Sequence, residues 1–354
     1  MEGYITQPMA TATLPFIGGR LVAGVTLNFE GLTLQRGELN AGMHGEGYVD
    51  RRHPHTWLHE AVVTGFAGGG ATRFSITMGK GFVPFGTDDP MSRGFVKYPV
   101  NHHLAQLLER AGVFGAAALG PVVLEAAAFN GDEPVSTSDA PDWERIGDSW
   151  SVRATARNTR GIEIQASLAD VESPEISQGG GLDHRKLSTS ARYERGGYYG
   201  LVEWAKTSER DQGNEAFAFS SFLVEGSVPL GPALIGVRAE RSERGEEERL
   251  TNPFRTPSPH SDLNILGRTR WDVLSASISR PISSSRGTLV PFIEVSTQRP
   301  KAMDTPAIFD PEGFYGAARL WSFSAGLRAG IGKHHNRMGR YGVAASNIDH
   351  SEHQ

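Results

Sequence analysis

Eleven residues, Asp50-Arg51-Arg52-His53-Pro54-His55-Thr56-Trp57-Leu58-His59-Glu60, bring together three histidines and two carboxylates. Imidazole and carboxylate are common ligands for zinc and related cations, so His53, His55, His59 and Glu60 form a candidate metal shell. Their spacing lacks the H-E-x-x-H pattern of a zinc helix. The blander reading is a proline-pinned loop whose Asp and Arg side chains pair with one another. A second polar region begins at Gly79-Lys80-Gly81-Phe82-Val83-Pro84-Phe85-Gly86-Thr87-Asp88-Asp89-Pro90 and runs on through Arg93 and Lys97 to His102, His103, Glu109 and Arg110. A loop of about twenty residues inside a compact β protein is either functional or disordered, and the Pro and aromatic content here favours an ordered, packed loop. Arg153 and Arg157, each two residues from Thr155, add two cations on one face of a later segment.

Other chemistry is thin. No G-x-S-x-G occurs, and the glycine runs at 68–70 and 179–181 lack the helix start that a phosphate cradle needs. With no cysteine, disulfide frameworks and thiolate metal or redox sites are excluded. A net charge of -5 with both signs dispersed leaves no basic footprint, so nucleic acid is not an expected partner. No cofactor is implied.

The elements that must position these residues are strands. The chain has 354 residues, 38% hydrophobic, with 43 glycines and 20 prolines. Mean hydropathy is -0.33, and no stretch reaches the roughly 18 to 20 apolar residues that a spanning helix requires. What recurs is period-two alternation over about ten residues, the signature of a strand with one apolar and one polar face. Residues 21–30 set Leu21, Ala23, Val25, Leu27 and Phe29 against Thr26, Asn28 and Glu30. Residues 149–157 set Trp150, Val152, Ala154 and Ala156 against Ser151, Arg153, Thr155 and Arg157.

Short turns near 68–71, 119–121, 158–161, 195–197, 228–232 and 281–287 alternate with longer connections at 31–56, 83–105, 132–147, 172–185, 209–214, 243–266 and 300–315. Turns at one rim and loops at the other are what an outer-membrane barrel has. The pattern predicts fourteen strands, at 21–30, 57–67, 72–82, 106–118, 122–131, 148–158, 161–171, 185–194, 198–208, 215–227, 232–242, 267–279, 288–299 and 316–331. The expected fold is therefore all-β: a transmembrane antiparallel up-and-down β-barrel over 21–331, between an N-terminal periplasmic segment 1–20 and a polar C-terminal tail 332–354. Aromatic residues near strand ends (Trp57, Trp150, Tyr193, Tyr198, Trp204, Trp321) fit the two girdles of such a barrel. In that setting the loop from 83 folds into the lumen, and the charges named above become candidates for its constriction.

Three stretches, Glu30-Gly31-Leu32-Thr33-Leu34-Gln35-Arg36-Gly37-Glu38, Asp50 to His55 and Phe129-Asn130-Gly131-Asp132-Glu133-Pro134, resemble bacterial outer-membrane porin-like proteins of unassigned function. Gly79 to Gly86 is similar to the G-x-x-x-x-P-F-G of phosphate-selective-porin-like barrels. The resemblance implies a channel for passive diffusion of small polar or charged solutes, outer-membrane lipid as surroundings, a homotrimer as a common assembly, and no catalysis. Members of that group begin with a signal peptide and further strands. None precedes the match here, so the resemblance implies an upstream start and sixteen strands in the complete barrel. Two other functions fit the sequence: an outer-membrane barrel with a metal-binding or hydrolytic site at the long-loop rim, around His53, His55, His59, Glu60, His102 and His103, and a soluble β-sandwich binding module.

Overall fold

A computed structural model describes residues 5, 8–33, 56–88, 93–95, 102–134, 136–176, 179–247, 265–305, 307, 309–332 and 339–345. One sixteen-stranded antiparallel sheet contains β1 (Met9–Phe16), β2 (Leu21–Asn28), β3 (Leu58–Gly69), β4 (Thr72–Gly81), β5 (Arg110–Leu119), β6 (Val122–Phe129), β7 (Ser149–Arg157), β8 (Ile162–Val171), β9 (Asp183–Arg195), β10 (Tyr198–Asp211), β11 (Asn214–Leu230), β12 (Ala233–Glu247), β13 (Ile265–Ser279), β14 (Ile282–Ser284), β15 (Gly287–Ala302) and β16 (Leu320–Ile331). Each strand pairs with its neighbour in sequence, except that β13 and β14 both lie along β15. They form one line interrupted at Arg280-Pro281, where proline has no N–H to give the ladder. Three short helices, α1 (Glu30–Thr33), α2 (His102–Ala105) and α3 (Pro311–Tyr315), sit in connections at the long-loop rim.

The faces of this sheet are inverted relative to a soluble protein. On β7 the burial alternates strictly: Ser149, Ser151, Arg153, Thr155 and Arg157 are buried, while Trp150 and Val152 are exposed. On β4, Ser75 and Thr77 are buried, whereas Phe74, Ile76 and Met78 are exposed. A β-sandwich hides its apolar faces between two sheets. Here there is one sheet, apolar outside and polar inside, so the sandwich reading does not hold. The sheet is also curled, because the connection after β4 touches both β12, where Arg238 lies 4.3 Å from the Phe95 ring centre, and β16, where Arg328 Nη1 donates to Arg93 O at 2.9 Å. A flat sheet would hold those strands far apart. The architecture is an up-and-down β-barrel.

Two details differ from the sequence reading. Residues 9–16, expected in a periplasmic segment, form β1 and pair with β2 from Met9↔Asn28 to Phe16↔Leu21. Their Ala-Thr-Ala-Thr alternation carries little hydrophobic contrast, which is why the sequence signal is faint. Counting β13 and β14 as one line, the sheet crosses fifteen times, and β1 and β16 both run toward the short-turn rim. Among the described residues no ladder joins those two edges. The connection expected as a longer loop at 209–214 is a two-residue turn, Gln212-Gly213, with φ of 49° and 85°. Two consecutive positive φ values match the twist of a tight hairpin, and β10 stays paired with β11 up to Asp211↔Asn214.

Candidate functional site

The segment after β4 enters the lumen because its first half is apolar. Phe82, Val83 and Phe85 are buried. Val83 and Phe85 join Leu107, Phe114, Ala127, Phe129, Ala169 and Val171 in a core cluster inside the barrel wall. The close approach needs a glycine at 86: its φ is 65°, and a Cβ there would stand 1.6 Å from Ala105 O. The wall then fastens the backbone. Gly86 N donates to Ser167 Oγ at 2.9 Å, Ser151 Oγ donates to Pro84 O at 3.2 Å, and Arg153 Nη1 donates to Gly86 O at 3.2 Å.

Past this anchor the loop turns polar and spans the lumen. Thr87 Oγ1 donates to Glu203 on β10, and Arg93 bridges the same carboxylate at 3.2 Å to Glu225 on β11 at 3.7 Å. Glu225 takes a second guanidinium, Arg238, at 2.7 Å. Asp88 pairs with Arg192 of β9 and, at 3.2 Å, with Arg340. Between loop and wall lies a small cleft lined by Thr87, Asp88, Arg93, Glu163, Arg192 and Tyr199, among others. Both signs of charge face it.

A second cluster lies at the base of the loop. His59 Nδ1 and Glu109 Oε1 are 2.8 Å apart, Lys80 Nζ is 3.0 Å from Glu109 Oε2, and Thr56 Oγ1 donates to that same oxygen at 2.5 Å. Lys80 also donates to Thr56 Oγ1. Glu109 adopts a left-handed φ of 53°, an uncommon conformation for a non-glycine residue, and its carboxylate holds this group together. A β-bulge explains how the chain delivers His59 and Glu60 consecutively to the inside: the β2–β3 register shifts between Thr26↔Glu60 and Leu27↔Leu58, leaving His59 extra.

Of the constriction candidates, Lys80, Asp88, Arg93, Glu109, Arg110, Arg153 and Arg157 are all buried inside the barrel wall. Arg110 belongs to the rim, donating to Gly131 O at 3.0 Å and pairing with Glu133 at 2.7 Å. Asp89 and Lys97 lie outside the described residues, as do His53 and His55. His102 and His103 begin α2, and their side chains are likewise outside the described set. His59 and Glu60 do not share a site, since Glu60 accepts from Thr26 Oγ1 at 2.8 Å and from Tyr341 OH at 2.5 Å. Among the described residues no group of three His, Cys, Asp or Glu side chains converges on a metal position.

Sequence reasoning missed Glu125, Glu163, Arg192, Glu203, Glu225, Arg238, Arg340 and Tyr341. For three of these acids a signal existed. Glu125 stands alone in the apolar run Val-Val-Leu-Glu-Ala-Ala-Ala-Phe, and its register partner on β7 is Arg153. Glu163 faces Arg157 and Glu225 faces Arg238 in the same way. Lone opposite charges at paired strand positions mark an inward face that is wet.

No protein-family model matches the chain, and no curated protein matches it by sequence. The solved structures do. The trimer form of OmpT, an outer membrane protein of Vibrio cholerae, aligns at TM-score 0.51 and 9% identity, covering 92% of this chain and 91% of its own. A variant of the same protein lacking loop L8 aligns at TM-score 0.50 and 9% identity, covering 90% and 88%. The fold is that of a porin-like β-barrel. At such low identity the likeness extends to the fold and stops there. Within this fold, residues 82–88 and 93–95 lie inside the barrel against the wall, where Thr87, Asp88 and Arg93 meet paired charges on β9, β10 and β11.

Proposed function

We propose that this porin-like barrel lies in a bacterial outer membrane and passes small polar or charged solutes by passive diffusion through the cleft between Thr87, Asp88 and Arg93 and the wall of β8–β10. The observation that carries the reading is the inversion of faces: apolar side chains cover the outside, where lipid would solvate them, and charged side chains line the inside, where only water or a solute would. The loop's salt bridges to Glu203, Glu225 and Arg192 hold the aperture at fixed width. No covalent step is required. Assembly as a homotrimer belongs to this reading, by analogy with the trimeric form of the Vibrio cholerae protein.

Planar-bilayer recording of the refolded, detergent-purified chain tests it. Stepwise conductance is expected, together with a shift in gel mobility on boiling. A protein that stays soluble without detergent and adds no conductance would overturn the proposal.

A further inference from the structure

Seven residues beyond the last strand, which ends at Ile331, lie inside the barrel. Gly339 to Ala345 pack against the lumenal wall of β3 to β8, and each side chain in the first half has a prepared place. Arg340 is 5% exposed; its guanidinium reaches Asp88, Glu125 and Glu163 at 3.2, 3.2 and 3.3 Å and donates to Thr155 Oγ1 at 3.0 Å. Tyr341 stacks on Phe114 with ring centres 5.8 Å apart, donates to Glu60, and accepts from Phe82 N at 2.8 Å. Val343 and Ala344 close a small apolar cluster with Ala118 and Val123.

The fit depends on two close approaches. A Cβ at Gly342 would stand 2.0 Å from Ser75 Oγ, and one at Gly81 would stand 2.3 Å from Tyr341 OH. Yet the segment is not part of the sheet. Its backbone is met by side chains: Arg153 donates to Gly339 O, Arg157 to Ala344 O, and Val343 N donates to Ser75 Oγ. Among the described residues, its only backbone-to-backbone bonds are internal, from Ala344 N to Tyr341 O and from Ala345 N to Gly342 O. It can therefore leave without breaking a ladder. Removing Arg340 also leaves its three carboxylates partnered, by Arg192, Arg153 and Arg157 respectively.

We propose that the lumenal wall of β3 to β8 carries a binding site for a short peptide with an Arg-Tyr step, that residues 339–345 occupy it in cis, and that this detachable plug closes part of the solute path. The proposal rests on the pore reading for its consequence, though not for the docking itself.

Two readouts separate these. The chain has no cysteine, so Val343→Cys places a single thiol at a position 3% exposed. In otherwise unaltered protein it reacts slowly with a membrane-impermeant maleimide compared with an exposed Ser283→Cys control. Adding Arg340→Ala and Tyr341→Phe accelerates labelling by more than about tenfold, as expected when a docked segment opens locally. In bilayers, the Arg340→Ala/Tyr341→Phe variant of the full chain conducts severalfold more than the parent. The peptide Gly-Arg-Tyr-Gly-Val-Ala-Ala lowers that conductance again, while Gly-Ala-Phe-Gly-Val-Ala-Ala does not. Equal labelling rates in both backgrounds, or a peptide without effect on a variant that conducts, would overturn the plug. Faster labelling with no conductance in any variant supports the docking and sinks the pore reading.

Discussion

Glu125 and Arg153 are register partners across β6 and β7, and Arg153 binds both carboxylate oxygens at 2.7 Å. Oε2 is shared, because Arg340, 215 residues away in sequence, approaches it at 3.2 Å. One carboxylate thus links two wall strands to the C-terminal segment. Removing it leaves two guanidinium groups in a confined space with fewer partners. Glu125→Ala is expected to destabilise the barrel by about 3 kcal/mol, the scale for breaking one side of a buried pair. Reversible urea unfolding in lipid vesicles measures it, and a change under about 0.5 kcal/mol would mean that water alone satisfies both cations.

The loop should set both the size and the sign preference of the aperture. Asp88→Asn removes a negative charge from the cleft and moves the reversal potential in a salt gradient toward anions. Arg93→Ala cuts the bridge to Glu203 and Glu225, and larger, noisier conductance steps are expected. Unaltered steps in Arg93→Ala would show that the apolar anchor at Val83 and Phe85 suffices to hold the loop.

Adjacent residues on β7 provide a test of the lipid face. Val152 points outward and is exposed, and arginine there would sit in hydrocarbon at a cost of about 2–4 kcal/mol near the midplane. Folding into vesicles should fail or weaken in proportion. For a protein surrounded by water the same Val152→Arg change would be almost neutral, so the folded yield decides between the two environments.

At the long-loop rim, Asp304 accepts a hydrogen bond from Arg268 N at 2.7 Å and pairs with its guanidinium at 2.9 Å. The backbone hydrogen bond first, and the side-chain bond after it, hold this carboxyl below its ordinary range. A depressed folded value means the latch contributes above the unfolded pKa of about 4 and is lost as the pH falls through the lowered one. Hydrogen exchange in 303–319 should therefore rise between pH 5 and pH 2.5, while Asp304→Asn removes that dependence. The effect is small, on the order of 1 kcal/mol or less for an exposed pair.

The architecture was legible because strands in a barrel alternate with period two, and residues 149–157 or 21–30 show that period directly. The lumen's occupants were not. The inward loop could be suspected from its length and its Pro-Phe-Gly content, and Lys80, Asp88, Arg93 and Glu109 follow from it. Arg340 and Tyr341 carry no periodic signal, because a docked segment answers to the wall it meets and not to its own neighbours. Nor could spacing show that His59 would turn to Glu109, fifty residues on, which depends on a bulge and on one left-handed residue.

The contacts of the C-terminal segment also fix an order of events. Tyr341 and Glu60 are 281 residues apart, and Arg340 and Asp88 are separated by 252. Closing chain loops of that length gains nothing until the wall strands stand in register, since every partner of the segment is supplied by a strand or loop the sheet itself positions. Hairpin pairing from β1 onward is local and can proceed without it. The segment therefore docks last in folding, and a newly assembled barrel passes through an interval in which its lumen is formed and still unplugged.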